Sequence, residues 1–207
     1  NQIQISEQQG MTFATGLRSI LRQDPDVILV GEVRDAETAR IAVQSALTGH
    51  RVFSSVHAID AVASLYRLLD MGIEAYLITS AIIGVVAQRL VRRTCKSCAT
   101  AYEPSLPEQT MYQKLGGRPK DLWLRGRGCQ FCSGTGYFDR VGVYEVLPIT
   151  DEIRQCLVDA QPPRVARELA FEQGLRTLQS EAIRLVETNV TTMEEVVKHV
   201  LVNEGLT

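Results

Sequence analysis

Four of the five cysteines stand as two C-x-x-C pairs, Cys95/Cys98 and Cys129/Cys132. Each pair places two thiolates a short turn apart, so both sulfurs can reach one ion at about 2.3 Å, and two such knuckles complete a tetrahedral shell. Zinc is the ion this spacing predicts. With all four positions filled by protein there is no room for a bound water, so the metal is expected to be structural and its binding coupled to local folding. Two disulfides or unpartnered thiols are the alternatives, and a reducing compartment disfavours the first. Cys156 falls on an amphipathic pattern and reads as a small buried apolar residue.

The rest of the composition bounds the function classes. A chain of 207 residues with 45% apolar composition can bury a core of ordinary size. Its net charge of −2 gives no global reason to expect nucleic acid or an anionic membrane as partner. Arginine supplies 18 of the 22 basic residues, which favours bidentate carboxylate or phosphate contacts. The N-terminus has no basic stretch followed by an apolar run, and Ala75 to Ala87 is shorter than the ~20 residues needed to span a bilayer. A soluble, cytoplasmic chain is expected.

The fold class expected is α/β. Thr12 to Leu21 carries apolar residues at helical spacing and stops at Asp24-Pro25-Asp26. Val27 to Val30 reads as a strand buried on both faces, as in a parallel sheet. Asp35 caps a helix through Leu47, and Gly49 suits its C-terminal end. Arg51 to Val56 is the next strand, followed by helices over Asp60 to Met71 and Glu74 to about Arg93. Between the cysteine pairs, Pro104, Pro107, Gly116, Gly117 and Pro119 mark loops around one short helix near Glu108 to Leu115. Val141 to Leu147 alternates as a strand returning to the main sheet. Helices are then expected over Asp151 to Val158, Pro163 to Glu172, Thr177 to Thr188 and Met193 to Val202, the last opened by Thr191-Thr192-Met193-Glu194 as a capping box. The division expected is residues 1–93 as the sheet core, to which the strand at 141–149 returns, 94–140 as the tetracysteine subdomain and 150–207 as a helical subdomain.

Ligands of open α/β sheets bind beyond the carboxyl ends of the strands. Two strand ends deliver Glu32 and His57 to that edge, where the carboxylate could orient an attacking water and the histidine could stabilise charge on a phosphoryl group. The bland alternatives are a solvated turn carboxylate and a hydrogen-bonded structural histidine. Arg18, Arg22, Arg34 and Arg89 are candidates for a subunit interface or for nucleotide contact. Their alternative is pairing on the surface with Asp24, Asp26, Glu32 or Asp35, which contributes roughly 0–1 kcal/mol per pair.

Taken in order, several segments resemble the secretion ATPases that drive type II secretion and type IV pilus assembly. They are Leu17 to Asp26, Val30-Gly31-Glu32-Val33-Arg34-Asp35 with Glu37, Thr38 and Ala39, Leu47-Thr48-Gly49-His50 through His57, Arg67 to Gly72, and Ala87 to Arg93. The resemblance runs nearly the whole length. It implies a RecA-like core, an atypical Walker B strand in which glycine replaces the metal-binding aspartate and Glu32 is the catalytic glutamate, and a His box containing His50 and His57. Ser55 and Ala58 depart from the threonines usual around the second histidine, and Ile59-Asp60 stands where asparagine-aspartate is common. Paired cysteines are common in assembly and secretion members and absent from retraction members, so the resemblance implies an assembly motor. It implies Mg2+ and ATP as cofactors of the intact protein, a homo-hexameric ring, and a place at the inner membrane through a platform protein, with zinc bracing the part that touches it. Cys129 to Gly136 is also similar to the C-x-x-C-x-G-x-G unit of chaperone zinc domains, a family with four such units where this chain has one.

The chain contains no G-x-x-x-x-G-K-[ST] segment, the loop whose amides and lysine cradle phosphates. In the family that loop lies upstream of the matched region. The sequence is therefore expected to be a C-terminal part of a longer ATPase, inactive alone, and either to associate, with the alternating strand Gln2 to Ser6 as the adhesive edge, or to be disordered near Asn1 to Met11. The alternative function class is a zinc-dependent nucleic-acid- or protein-binding module without catalysis. Only Lys96, Phe131 and Tyr137 near the knuckles support a nucleic-acid face, and Glu103 and Asp139 oppose it.

Overall fold

The computed structural model describes residues 1–201, Glu7 by its backbone alone. Val202, where the last expected helix ends, lies outside the described residues. The helices are α1 Phe13–Ile20, α2 Ala36–Leu47, α3 Ala61–Asp70, α4 Ala75–Ala81, α5 Leu106–Lys114, α6 Asp151–Val158, α7 Pro163–Glu172, α8 Leu178–Glu187 and α9 Met193–Val196, the last continued by a π-type turn over Val197–Leu201. The strands are β1 Val27–Val30, β2 Arg51–Ser54, β3 Gly84–Thr94, β4 Ala99–Tyr102, β5 Trp123–Gly126 and β6 Tyr137–Pro148. None of the described helices is long and apolar enough to cross a membrane. Two compact units result: Asn1–Val85 with Leu147–Gly174, and Val86–Val146 with the residues from Leu175 onward.

In the first unit, β1 and β2 pair in parallel, with Val27 opposite Arg51 and Val30 opposite Ser54. The helix between them starts where the sequence demands it. The Asp35 carboxylate accepts from Thr38 N and Thr38 Oγ1, both at 2.8 Å, and these bonds hold its pKa below the ordinary carboxylate value. Asp60 caps α3 in the same way, accepting from Ala63 N at 2.6 Å, and also accepts from Arg167 of α7 at 2.7 Å. Ile28 and Val30 are buried, whereas Val27 and Leu29 are 58% and 76% exposed. The expectation of a strand buried on both faces is thus corrected: one face packs on the helices and the other is open. The expected strand over Gln2 to Ser6 reduces to a single bridge between Ser6 and Met11, preceded by no ladder among the described residues.

The second unit contains the largest departures from the sequence reading. The helix expected to run from Glu74 to about Arg93 stops at Ala81, and Gly84–Thr94 is a strand. Ile82, Ile83, Val85 and Val86 are β-branched and Gly84 interrupts them, a run that weakens a helix and suits a strand. Beyond it the burial has period 2, with Ala87 and Val91 inside and Val86 and Leu90 outside. The strand expected over Val141 to Leu147 is present within β6, but it pairs with β3 in a separate two-stranded sheet, not with β1 and β2. Once residues 84–94 are extended they supply the ladder partner that a helix could not.

Behind that ribbon, Glu195 of α9 is fully buried and accepts from Arg92 N, Nε and Nη2 at 2.8, 2.9 and 2.6 Å. The Arg92 guanidinium lies over the Tyr137 ring at 4.0 Å, and Tyr137 Oη shares a 2.8 Å hydrogen bond with Thr192 Oγ1. Burial alone would raise the Glu195 carboxyl, but the donors and charge of Arg92 overcome it and hold the pKa below 4.5. The contribution to stability is therefore present above pH 4.5 and lost as pH falls through the depressed folded value. Glu195→Ala leaves Arg92 facing a buried gap and is expected to cost about 3 kcal/mol in urea unfolding at pH 7. A loss below about 0.5 kcal/mol, the range of ordinary surface changes, would contradict that assignment.

Candidate functional site

Parallel pairing brings the chain segments that follow β1 and β2 to the same edge. Val33 N donates to Ser55 O at 2.9 Å and Ser55 Oγ donates to Gly31 O at 2.8 Å, so the two turns are tied to each other beyond the last ladder pair. Glu32 and His57 meet there, with His57 Nε2 3.3 Å from Glu32 Oε2. Arg34 Nη2 takes the other oxygen, Oε1, at 2.6 Å. Each carboxylate oxygen thus has its own partner. The Arg34 hydrogen bond is the main influence on Glu32 and, with His57, holds its carboxyl below 4.5. Glu32 is a carboxylate at neutral pH, able to accept a proton or orient a water. The His57 side chain is 88% exposed and open to a ligand.

The other candidates fall elsewhere. His50 precedes β2, at the opposite end of the ladder, where Nδ1 lies 3.0 Å from Ser45 O and 3.2 Å from Thr48 Oγ1 at the end of α2. Arg18 pairs with Glu37 at 2.7 Å, across α1 and α2, on a partly exposed surface. Arg22 lies in the 3₁₀ turn Leu21–Gln23, and Arg89 Nη1 donates to Gln88 O at 3.0 Å. Ser55 was legible only as a departure from a familiar pattern, and its role in tying the turns had no sequence signal. Arg34 takes one of the surface pairings offered as its alternative, the one with Glu32.

The four paired cysteines converge in the second unit, with every sulfur within 4.8 Å of the others. Cys95 Sγ lies 4.0 Å from Cys129 Sγ, Cys98 Sγ 3.8 Å from Cys132 Sγ, and Cys129 Sγ 3.7 Å from Cys132 Sγ. A tetrahedral ion with 2.3 Å bonds requires sulfur separations of about 3.8 Å. The residues therefore fit a metal ion. Cys129 N and Gly136 N point at Cys132 Sγ at 3.2 and 3.3 Å. Burial disfavours a thiolate at Cys132, yet these amides bring it down to about 6, while burial pushes Cys98 up to about 12. Glycines let the chain close on itself around the second knuckle: a Cβ on Gly126 or Gly136 would overlap the backbone of the other.

Both the ladder and the cluster occur in a chain whose sequence matches the family described as type II/IV secretion system protein over residues 1–198. The chain belongs to that family. It is 42% identical over 200 residues to the type IV pilus assembly ATPase PilB of Thermus thermophilus, covering 95% of this chain and 22% of that protein. It is also 42% identical over 198 residues to the type II secretion system protein HxcR of Pseudomonas aeruginosa, covering 96% of this chain and 38% of that protein. The chain thus spans well under half of these relatives. Among solved structures, the ATPase DotB of Yersinia pseudotuberculosis matches with a TM-score of 0.61 at 23% identity, over 91% of this chain and 40% of that one, a likeness of fold.

Neutralising the Arg34 partner tests the electrostatics directly. In a 13C titration of the Glu32 carboxyl, the midpoint should lie below 4.5 and rise toward it in Arg34→Met. An unchanged midpoint would show that Arg34 does not hold the carboxylate.

Proposed function

We propose that this chain supplies the hydrolytic half of an ATPase motor of type II secretion or type IV pilus assembly. The observation that carries the reading is Glu32, held between Arg34 and His57 at the carboxyl end of a parallel strand, in a chain of this family. Glu32 is the water-orienting base: its lowered pKa keeps it an ionised carboxylate that accepts a hydrogen bond from the attacking water. His57, with its proton on Nε2, steadies the carboxylate and is exposed enough to turn toward a phosphoryl group. Mg2+-bound ATP supplies the phosphoryl group and the neutralisation of its charge. His50 braces the start of β2 from outside that pair, and Arg18, Arg22 and Arg89 serve subunit contacts in a hexameric ring of RecA-like cores. The ring works on the cytoplasmic side of the inner membrane, against a platform protein.

The 207-residue chain alone, without a G-x-x-x-x-G-K-[ST] loop, is expected to release no phosphate from ATP above background. A chimera carrying residues 1–201 in place of the matching stretch of HxcR is expected to hydrolyse ATP, and Glu32→Gln should lower its rate about 10²–10⁴-fold. A folded chimera whose rate is unaffected by that change would sink the assignment.

Zinc is the ion we assign to the four cysteines, closed to water and structural. Mass spectrometry of the purified chain should find one zinc per chain, with Cys129→Ser losing both the metal and the order of the segment it holds. A folded protein with four titratable thiols and no metal would contradict this.

A further inference from the structure

A groove of about 320 Å³ lies beside the cysteine cluster in the second unit, and nothing in the hydrolysis reading uses it. Arg93, Thr94, Lys96, Phe131, Phe138 and Asp139 line it. Thr94 is only 4% exposed and contributes little to the open surface of the groove. Phe131 and Phe138 form one wall. Their rings stack at 4.3 Å between centroids, tilted by 39°, and both side chains are about half exposed. Exposed aromatic pairs beside a recess are characteristic of binding anchors.

The charges narrow the ligand. Arg93 and Lys96 have no ion-pair partner among the described residues, and Asp139 opposes them, its Oδ1 accepting from Arg140 N at 2.7 Å. One excess positive charge suits one carboxylate. A phosphate dianion would meet Asp139, and the two rings close on each other so that no base can slot between them. The volume is at the small end of ligand sites and accommodates one or two side chains. Thr94 and Lys96 flank Cys95, and Phe131 precedes Cys132, so the cluster fixes the groove on both sides.

We propose that this groove docks a short segment of a partner protein, with one apolar side chain against Phe131 and Phe138 and a neighbouring carboxylate held by Arg93 and Lys96. The partner is defined by that chemistry alone. The site goes beyond the hydrolysis reading, and its test contains no nucleotide, so either can fail without the other.

The test is a 1H–15N NMR titration of the metal-loaded 207-residue chain with N-acetyl-Leu-Asp-Phe-amide and with its lysine counterpart, N-acetyl-Leu-Lys-Phe-amide. The acidic peptide should shift the amides of residues 93–97 and 131–139 and bind about tenfold more tightly than the basic one, the difference one close charge pair supplies. Lys96→Glu should remove or reverse that preference, and Phe138→Ser should weaken both peptides. Equal binding of the two peptides, shifts elsewhere, or no shifts would overturn the proposal. So would the same shifts produced more strongly by inorganic phosphate, by oligo-dT or by phosphatidylglycerol vesicles, each of which would assign the groove to another ligand.

Discussion

The parallel pairing of Val27–Val30 with Arg51–Ser54 determines where the chemistry of the first unit falls. Parallel strands leave the sheet at the same end, so the residues after β1 and after β2 emerge side by side, as antiparallel neighbours would not. Glu32 and His57 are separated by a helix and a strand in sequence and by 3.3 Å in space. The hydrogen bonds of Ser55 to Gly31 and Val33 extend the order of the ladder into the turns. A slip of one residue would turn Ile28 and Val30 out of the core and carry Glu32 away from His57.

The second unit combines an apolar core on α8 and α9 with two polar constraints, the cysteine cluster and the Arg92–Glu195 pair. Its insertion between the knuckles is small, and a short segment buries too little apolar surface to hold itself. Tyr112 packs edge-on against Trp123 at 5.1 Å, and a Cβ at Gly117 would overlap the Tyr112 ring, so even this local core needs a glycine to close. The four sulfurs anchor one end of it. Just before Cys95 in the chain, Arg92 ties β3 to Glu195 of α9 through three donors. Cysteine cluster and buried ion pair thus add to an apolar core in which Leu178, Ile183, Val186, Met193 and Val196 are buried, and the groove lies beside the cysteine cluster.

Legibility followed the range of the interactions. Asp35 and Asp60 stand at the starts of their helices because a cap is local, and α6 and α7 span the residues expected of them, α7 opening at Pro163. The cysteine cluster was legible because ligand spacing is local within each pair. Residues 82–94 misled because their apolar positions satisfy both a period of 2 and a period near 3.6, and the deciding fact is a ladder with β6, far along the chain. Glu194 and Glu195 look alike in sequence, and only the fold shows which one meets Arg92. For the candidate site, position at a strand end pointed to Glu32 and His57, but only the three-dimensional arrangement separated His50 from them and joined Arg34 to them.

The central claim is that Glu32, steadied by His57, faces the water that attacks ATP. A crystal structure of the HxcR chimera with a hydrolysis-resistant ATP analogue tests it most directly. The account predicts a water between the terminal phosphate and Glu32, about 2.6–3.2 Å from a carboxylate oxygen, with His57 on the same side. A water positioned by other groups, with Glu32 turned away from the nucleotide and still clasped by Arg34, would contradict it.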